Sequence, residues 1–535
     1  MIIRNTILLF SLTLLLLGCQ KDDNTFEKQG PEIQPLVPVE SFRQDRGREV
    51  NLSFELRAIS GLGALQVLKD GEPYDNIDFP ADDLIFQYDF NYLVEELPDG
   101  TALNFTLELT DQLGATAEPF TFEVVVGPPF DITDETIAGT EVKVITGRIN
   151  RDLRLEAQFT YLINGLVSVE DNSVLTIEPG TTILMRTFNG PEDSRLAITR
   201  GCRIIAEGTK DSPIVFTSQG ILDGTAAWGD WGGIFVYGNA PTNQAAVVFE
   251  DGFTYGGNNL GESSGSLRYV RIEYAGKSDA DGIQLYGVGS GTQIRYLQVW
   301  NCFDNGIRFK GGGADIKYVV VTDHGAYGLW AEHGWRGRGQ FLLFQTSIAA
   351  TIIPVNFNNI ARSLELRNDA SNFELEPRTY TYISNVTMIG NGSTDADGTR
   401  RGFRVRRGAM GLFHNMIATN YPDDAVRVED VAPERLDDGT MEIGNIHSWG
   451  NKTNYDELAE DYFLPNPDFN LSEEPVPGIT PGNFVGSVPS PFNPAADARF
   501  GNWFTPAPYV GAVENEANDW TADGSWCKNQ DGTIR

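Results

Sequence analysis

IRYLQVWNCFDNGIRFKGGGADIKYVVVTDHGAYGLWAEH, residues 294–333, states one pattern twice. An apolar residue is followed by two others, an apolar residue, one other and a third apolar residue, as in IRYLQV from Ile294 and IKYVVV from Ile316. Each head leads through a glycine turn into a second short strand, GIRFKG from Gly306 and GLWAEH from Gly328. Ile294 and Ile307 lie 13 residues apart, and so do Ile316 and Leu329. The unit recurs as LRYVRI at 267, ISNVTM at 383, FHNMIA at 413 and, more weakly, IGNIHS at 443, with second strands GIQLYG, GFRVRR and AVRVED from 282, 402 and 425. The head spacings are 27, 22, 67, 30 and 30, and the gap of 67 leaves room for about three rungs. A period in the twenties, built of short strands and tight turns, marks a solenoid in which one rung buries its apolar face only against the next. Strands stacked at about 4.8 Å predict a parallel β-helix. A β-propeller needs a longer repeat, of about 40–45 residues.

Strand alternation then separates two faces. In the second strands the inward residues are Ile283/Leu285, Ile307/Phe309, Leu329/Ala331, Phe403/Val405 and Val426/Val428. Their outward neighbours are Gln284/Tyr286, Arg308/Lys310, Trp330/Glu332, Arg404/Arg406 and Arg427/Glu429. Tyr286, Arg308, Lys310, Trp330, Arg404, Arg406 and Arg427 are the candidate ligand-binding residues. The aromatics offer flat apolar surfaces to sugar rings, and the arginines offer forked donors to carboxylates or amides. The competing reading is a solvated face on which arginines stack and pair with nearby acids. His324 and His333 flank Trp330 and are placed beside this face. Asn385, Asn415 and Asn445 occupy one position of three heads and are expected to stack as a mutually bonded amide ladder. The motif GESSG at 261–265 lacks a strand-to-helix elbow and is read as chance.

Outward from the repeats, VLTIEPGTTILM, CRIIAEGT, PIVFTS and GGIFVYGNAP extend the same character toward the N-terminus. The β-helix is assigned to residues 138–450. Residues 451–535 form a C-terminal cap, with Asn454 starting one short helix and Trp503, Phe504 and Trp520 folding over the last rung. Ahead of residue 128, strands such as VNLSFEL, LIFQYDF, ALNFTLELTD and PFTFEVVV alternate between turns, which predicts an immunoglobulin-like sandwich over 36–127. The fold class is therefore all-β, a parallel β-helix preceded by a sandwich. A formal net charge of −34 argues against nucleic acid as a partner. Cys202, Cys302 and Cys527 are too far apart for a disulfide framework or a zinc motif.

At the N-terminus, Arg4 precedes an apolar run, Thr6 to Leu17, that is too short for a bilayer core of about 20 residues. Residues 1–18 read as a signal peptide. The following Leu-Leu-Gly-Cys resembles the bacterial lipobox, which implies cleavage before Cys19, lipidation there and a tether over 19–35. Gln20, Lys21, Asp22 and Asp23 resemble the lipoprotein export signal of the Bacteroidota, implying an outer-membrane lipoprotein exposed on the cell surface. The β-helix with its WGGI and RRG blocks resembles surface lipoproteins of that group. It is also similar to the right-handed β-helices of polysaccharide lyases. That second likeness implies calcium as a possible cofactor, and the repeated DADG places Asp279, Asp281, Asp395 and Asp397 as candidate ligands. No block matches a lyase catalytic signature, and no catalytic residue is assigned. The expected function is non-catalytic binding of a glycan or protein partner, as an accessory to a SusC/SusD-like outer-membrane complex. The alternatives are a polysaccharide lyase or hydrolase, and a purely structural surface subunit.

Overall fold

The computed structural model describes residues 30–535 except 38, 40, 191–192, 245–251, 278–279, 347–361, 393–399, 431–434, 436–438, 457–459 and 462–463. Cys19, Gln20, Lys21, Asp22 and Asp23 lie outside these residues. The chain divides after Gly127 into two compact units. The first is a pair of sheets of three and five strands sharing one apolar core. Strict alternation in Glu49–Arg57 sends Val50, Leu52, Phe54 and Leu56 inward. Phe90, Phe105 and Phe122 meet in that core, with ring centroids 4.9 to 5.4 Å apart.

The second unit is a parallel β-helix. A hairpin opens it: Phe130–Ile137 lies antiparallel to Thr140–Ile149, and from there every ladder within the β-helix is parallel. The stretch VKVITGRI thus belongs to the first rung, and the strand before it covers the edge.

The two-residue gap in each head proves to be a bend. Tyr269, Tyr296, Tyr318, Phe341, Asn385, Asn415 and Asn445 all have φ between 50° and 60°. One left-handed residue turns the strand so that the apolar residues on both sides of it point inward, three positions apart instead of two. In Gly265–Glu273 these are Leu267 and Val270, both buried. For a residue with a Cβ this conformation costs roughly 1–2 kcal/mol. Stacking offsets it, because the rings of Tyr269, Tyr296, Tyr318 and Phe341 lie 4.3, 4.5 and 4.9 Å apart along the solenoid.

The inward residues of the second strands are buried from Ile283 to Val428, as alternation predicts. The gap of 67 holds one additional head, in Arg338–Gln345, and not two. Gly339 stands where the other heads begin with an apolar side chain. The second strand Arg362–Arg367 lies in the same gap, and residues 347–361 lie outside the described residues. The expected helix does not start at Asn454, because Thr453–Tyr455 pairs as a rung strand with Asp424–Val428 and Tyr455 is wholly buried; Glu460 and Asp461, farther along that stretch, are helical, and 457–459 and 462–463 lie outside the described residues.

The C-terminal segment departs most from expectation. Leu464, Phe469 and Leu471 do pack on the last rungs. The chain then returns along the outside, across the bends, toward the first rungs. Trp520 meets Tyr318 at 5.3 Å, Trp526 meets Tyr296 at 5.8 Å, and Lys210 pairs with Asp523 at 2.6 Å. Val485, Val510 and Trp526 share a second core with the outward residues Val320, Leu343 and Ile417. This segment also claims the asparagines. Asn385 Nδ2 donates to the carbonyls of Ala507 and Tyr509, and Asn415 Nδ2 to those of Phe492 and Ala507. These two amides therefore bond to the returning strap and not to each other, whereas Asn445 pairs with His414 and accepts from Asn470 Nδ2.

Asn415→Ala removes both donations and the bond accepted from Ser490, and leaves alanine at a left-handed position. It should cost about 2–3 kcal/mol in urea unfolding and speed amide exchange in 488–511 below the global transition. Unchanged exchange there would mean that the asparagines do not hold the strap.

Candidate functional site

Register places the outward stripe on one line. Gln284, Arg308, Trp330, Glu365, Arg404 and Arg427 are successive partners across six rungs. Beside it runs a second line in which Tyr286 pairs with Lys310, Lys310 with Glu332, and Arg367 with Arg406. All seven predicted ligand-binding residues therefore lie on this face.

Their surroundings differ from the sequence reading. Tyr286 is only 2% exposed. Its ring lies 4.7 Å from Lys310 Nζ and 5.2 Å from the ring of Tyr255, and its hydroxyl donates to Gln284. The Trp330 indole carries Arg308 from the rung before at 3.8 Å and Arg367 from the rung after at 4.0 Å. Neither ring has a free face for a sugar. The reason is spacing, since rungs about 4.8 Å apart bring a cation directly onto each ring, an ammonium on Tyr286 and two guanidinium groups on Trp330.

Two carboxylates hold the cations in place. Glu332 is fully buried and accepts from Arg308 Nη2 at 2.9 Å and Arg367 Nε at 2.7 Å. Glu365, equally buried, accepts from Arg362 at 2.6 Å, Arg404 at 3.4 Å and Arg406 at 2.7 Å. Burial pushes the Glu332 carboxyl up, but Arg308, Arg367, His333 and Lys310 outweigh it and bring it down to about 2. Burial, with Arg308 next, pushes Lys310 down to about 8. At the far end Arg404 donates to Glu429 at 2.6 Å, and Arg427 pairs with Glu429 and Asp424. The nearby loop acids are engaged in the same way, Asp423 with Arg401 at 2.9 Å.

The strand Arg362–Arg367 was missed in the sequence. It has the same alternation, Leu364 and Leu366 inward with Glu365 and Arg367 outward, but it lacks the glycine that opens most other second strands. His333 joins the face, 3.4 Å from Glu332. His324 does not. It is wholly buried at the end of Asp315–His324, and burial drives it down to about 4.

Of the four candidate calcium ligands, Asp279, Asp395 and Asp397 lie outside the described residues. Asp281 does not fit a cation site. It is wholly buried, accepts from Asn305 and has Arg308 at 3.9 Å, and burial raises its carboxyl to about 6. Among the described residues, no group of three or more His, Cys, Asp or Glu is arranged to hold a metal ion. No described helix is long and apolar enough to cross a membrane.

A family model described as "Pectate-lyase like beta helix domain" matches residues 147–463. No curated protein matches the chain. One solved structure with a likeness is that of the Clostridium thermocellum CbhA fibronectin(III)-like modules, 12% identical, with a TM-score of 0.14. The match covers 18% of this chain and less than half, 46%, of that one. At that score it carries no argument about fold.

Glu332→Gln leaves Arg308 and Arg367 without their buried counter-charge and should cost about 3–5 kcal/mol. The Glu332 carboxyl sits at about 2 in the folded chain against 4.5 unfolded. Its contribution is therefore fully present above pH 4.5 and is lost as pH falls toward 2, about 3 kcal/mol in all. Urea unfolding between pH 7 and pH 2.5 should show that loss in the wild type and its absence in the variant. Parallel profiles would show that Glu332 is not held ionised by its arginines.

Proposed function

Because the chain belongs to the pectate-lyase-like β-helix family, we propose that it is a non-catalytic surface lipoprotein that holds a polysaccharide along the cationic stripe. The observation that carries the reading is the band of Arg308, Arg367, Arg404, Arg406 and Arg427, with Lys310, on two adjacent lines over four of five consecutive rungs of a chain with net charge −34. A linear polymer lying parallel to the solenoid axis meets a guanidinium at almost every rung, about 4.8 Å apart. Trp330 Nε1 and Arg404 Nε are buried with no acceptor among the described residues. Being buried, they do not reach a bound chain, and the outward N–H groups of the arginines are the donors that would. Recognition then runs through hydrogen bonds and charge, since the aromatic faces are already covered.

Cys19 would carry the lipid and Gln20, Lys21, Asp22 and Asp23 the surface address, placing the β-helix outside the outer membrane of a Bacteroidota cell. In that setting it serves as an accessory that delivers glycan to a SusC/SusD-like complex. A second reading rests on Lys310. With its ammonium brought to about 8 beside Arg308, it is a general base in reach of neutral pH, which eliminative cleavage of a uronate polymer requires.

Affinity electrophoresis of the full chain through gels containing polygalacturonate or neutral dextran tests the binding reading. The wild type should be retarded by at least one of them, and Arg367→Ala with Arg406→Ala should weaken retardation tenfold or more. Each substitution leaves its glutamate another arginine, so the fold persists. Equal retardation of wild type and variant would sink the reading. Ultraviolet absorbance of unsaturated product, lost in Lys310→Ala, would establish the lyase reading in its place. Cys19→Ser should abolish incorporation of labelled palmitate, and a labelled serine variant would refute the anchor.

A further inference from the structure

A second arginine cluster lies away from the stripe, on the part of the rung before the bend. It is a cleft of about 260 Å³ between the β-helix and the returning strap, and Arg336, Arg338 and Arg499 line it together with one carboxylate, Asp315. The apolar part of the wall comes from Tyr382, Phe500 and Leu260. Arg338 and Tyr382 are register partners on adjacent rungs, and the Tyr382 and Phe500 rings meet edge to face at 5.5 Å.

Each guanidinium is fixed from one side and open on another. Arg338 grips Asp315 through Nε at 3.0 Å and Nη2 at 2.6 Å. Arg336 Nη2 donates to Glu376 at 3.0 Å and its Nε to the Arg378 carbonyl at 3.2 Å. Arg499 is held by Asp497, with Nη2 at 2.6 Å, and by Glu442. Glu376, Asp497 and Glu442 do not line the cleft. The three side chains nonetheless remain 45%, 31% and 46% exposed. Guanidinium groups whose orientation is already set lose little freedom when an anion arrives. Carboxylates balance their charge, Asp315 in the wall and Glu376, Asp497 and Glu442 outside it, so what the cleft offers is three oriented sets of N–H donors around one small space.

We infer that this cleft is a second binding site, for a single sugar residue bearing an oxyanion, either a carboxylate or a sulfate ester. The guanidinium groups would take the oxyanion by forked hydrogen bonds, and Tyr382 and Leu260 would take the ring. The volume is below the roughly 300–1,000 Å³ of drug-sized pockets, so the cleft accepts one residue and not a polymer. Arg499 and Phe500 belong to the strap, so the site exists only when the strap is docked. It is independent of the stripe proposed above.

Calorimetric titration of the full chain with glucuronate, N-acetylglucosamine 6-sulfate, glucose and inorganic sulfate tests the inference. At least one anionic sugar should bind with a millimolar dissociation constant, more tightly than glucose or sulfate, and which of the two binds identifies the oxyanion. Arg336→Ala with Arg499→Ala should weaken it tenfold or more. Ser290→Trp, which fills the cleft without removing a charge, should do the same, with a thermal midpoint near that of the wild type as the check on folding. Arg367→Ala with Arg406→Ala, in the stripe, should leave this affinity unchanged. No binding of either anionic sugar, inorganic sulfate binding as tightly as the sulfated sugar, or loss in the stripe variant but not in the cleft variants would overturn the inference. The first two outcomes leave polysaccharide retention by the stripe untouched, and the third would assign the sugar to the stripe.

Discussion

A left-handed residue at the same position of each head organises the β-helix. A strand with unbroken period-two alternation would run straight and could not wrap around a core. Placing Tyr269, Tyr296, Tyr318, Phe341, Asn385, Asn415 and Asn445 at positive φ lets a single strand serve two faces of the solenoid while keeping its inward side chains buried. The cost recurs at every head, roughly 1–2 kcal/mol each, and something must offset it repeatedly. In the first four bends it is ring stacking along the axis. In the last three it is the asparagine side chain, which tolerates this conformation better than most and bonds outward.

The bends in turn explain the strap. Seven outward-pointing aromatic or amide groups in a row form a surface that is poorly matched to water, since the rings are flat and stacked and the amides need partners. The C-terminal segment satisfies both demands, with Trp520 and Trp526 against the rings and the carbonyls of Phe492, Ala507 and Tyr509 against the amides. Stability is thus shared between an inner core, built from one residue in two along the strands, and an outer one that only the strap completes.

The repeat itself was legible because the step of three among the head's apolar residues is the bend, written in sequence. Inward and outward residues of the second strands followed from alternation alone. Three things were not legible. Gly339 hides a head, because packing at that corner is supplied by Leu342 and Ile383, which touch it from its own strand and the next. Arg362–Arg367 lacks the glycine turn and so escaped the search pattern. The third is the state of the aromatics. Alternation says that Trp330 points outward, but the side chains of the neighbouring rungs decide what lies on it, and here each rung lays a guanidinium on the indole, at 3.8 and 4.0 Å.

That stacking bears on how the stripe can work. A cation stacked on an indole and bonded to a buried carboxylate is held in place before any ligand arrives. Arg308 and Arg367 are held in this way, and with Lys310, Arg404, Arg406 and Arg427 on two adjacent lines they present a row of donors, with Glu332 and Glu365 neutralising part of their charge from beneath. Net charge pulls the other way. At −34 the chain repels polyanions at long range, although screening confines that repulsion to about 8 Å at physiological ionic strength. Within that distance the row dominates. A flexible polyanion approaching from any direction gains little, whereas an extended chain aligned with the solenoid axis meets several donors at once. The arrangement therefore selects for shape and alignment over charge alone, as expected where specificity has to come from repeated, individually weak contacts.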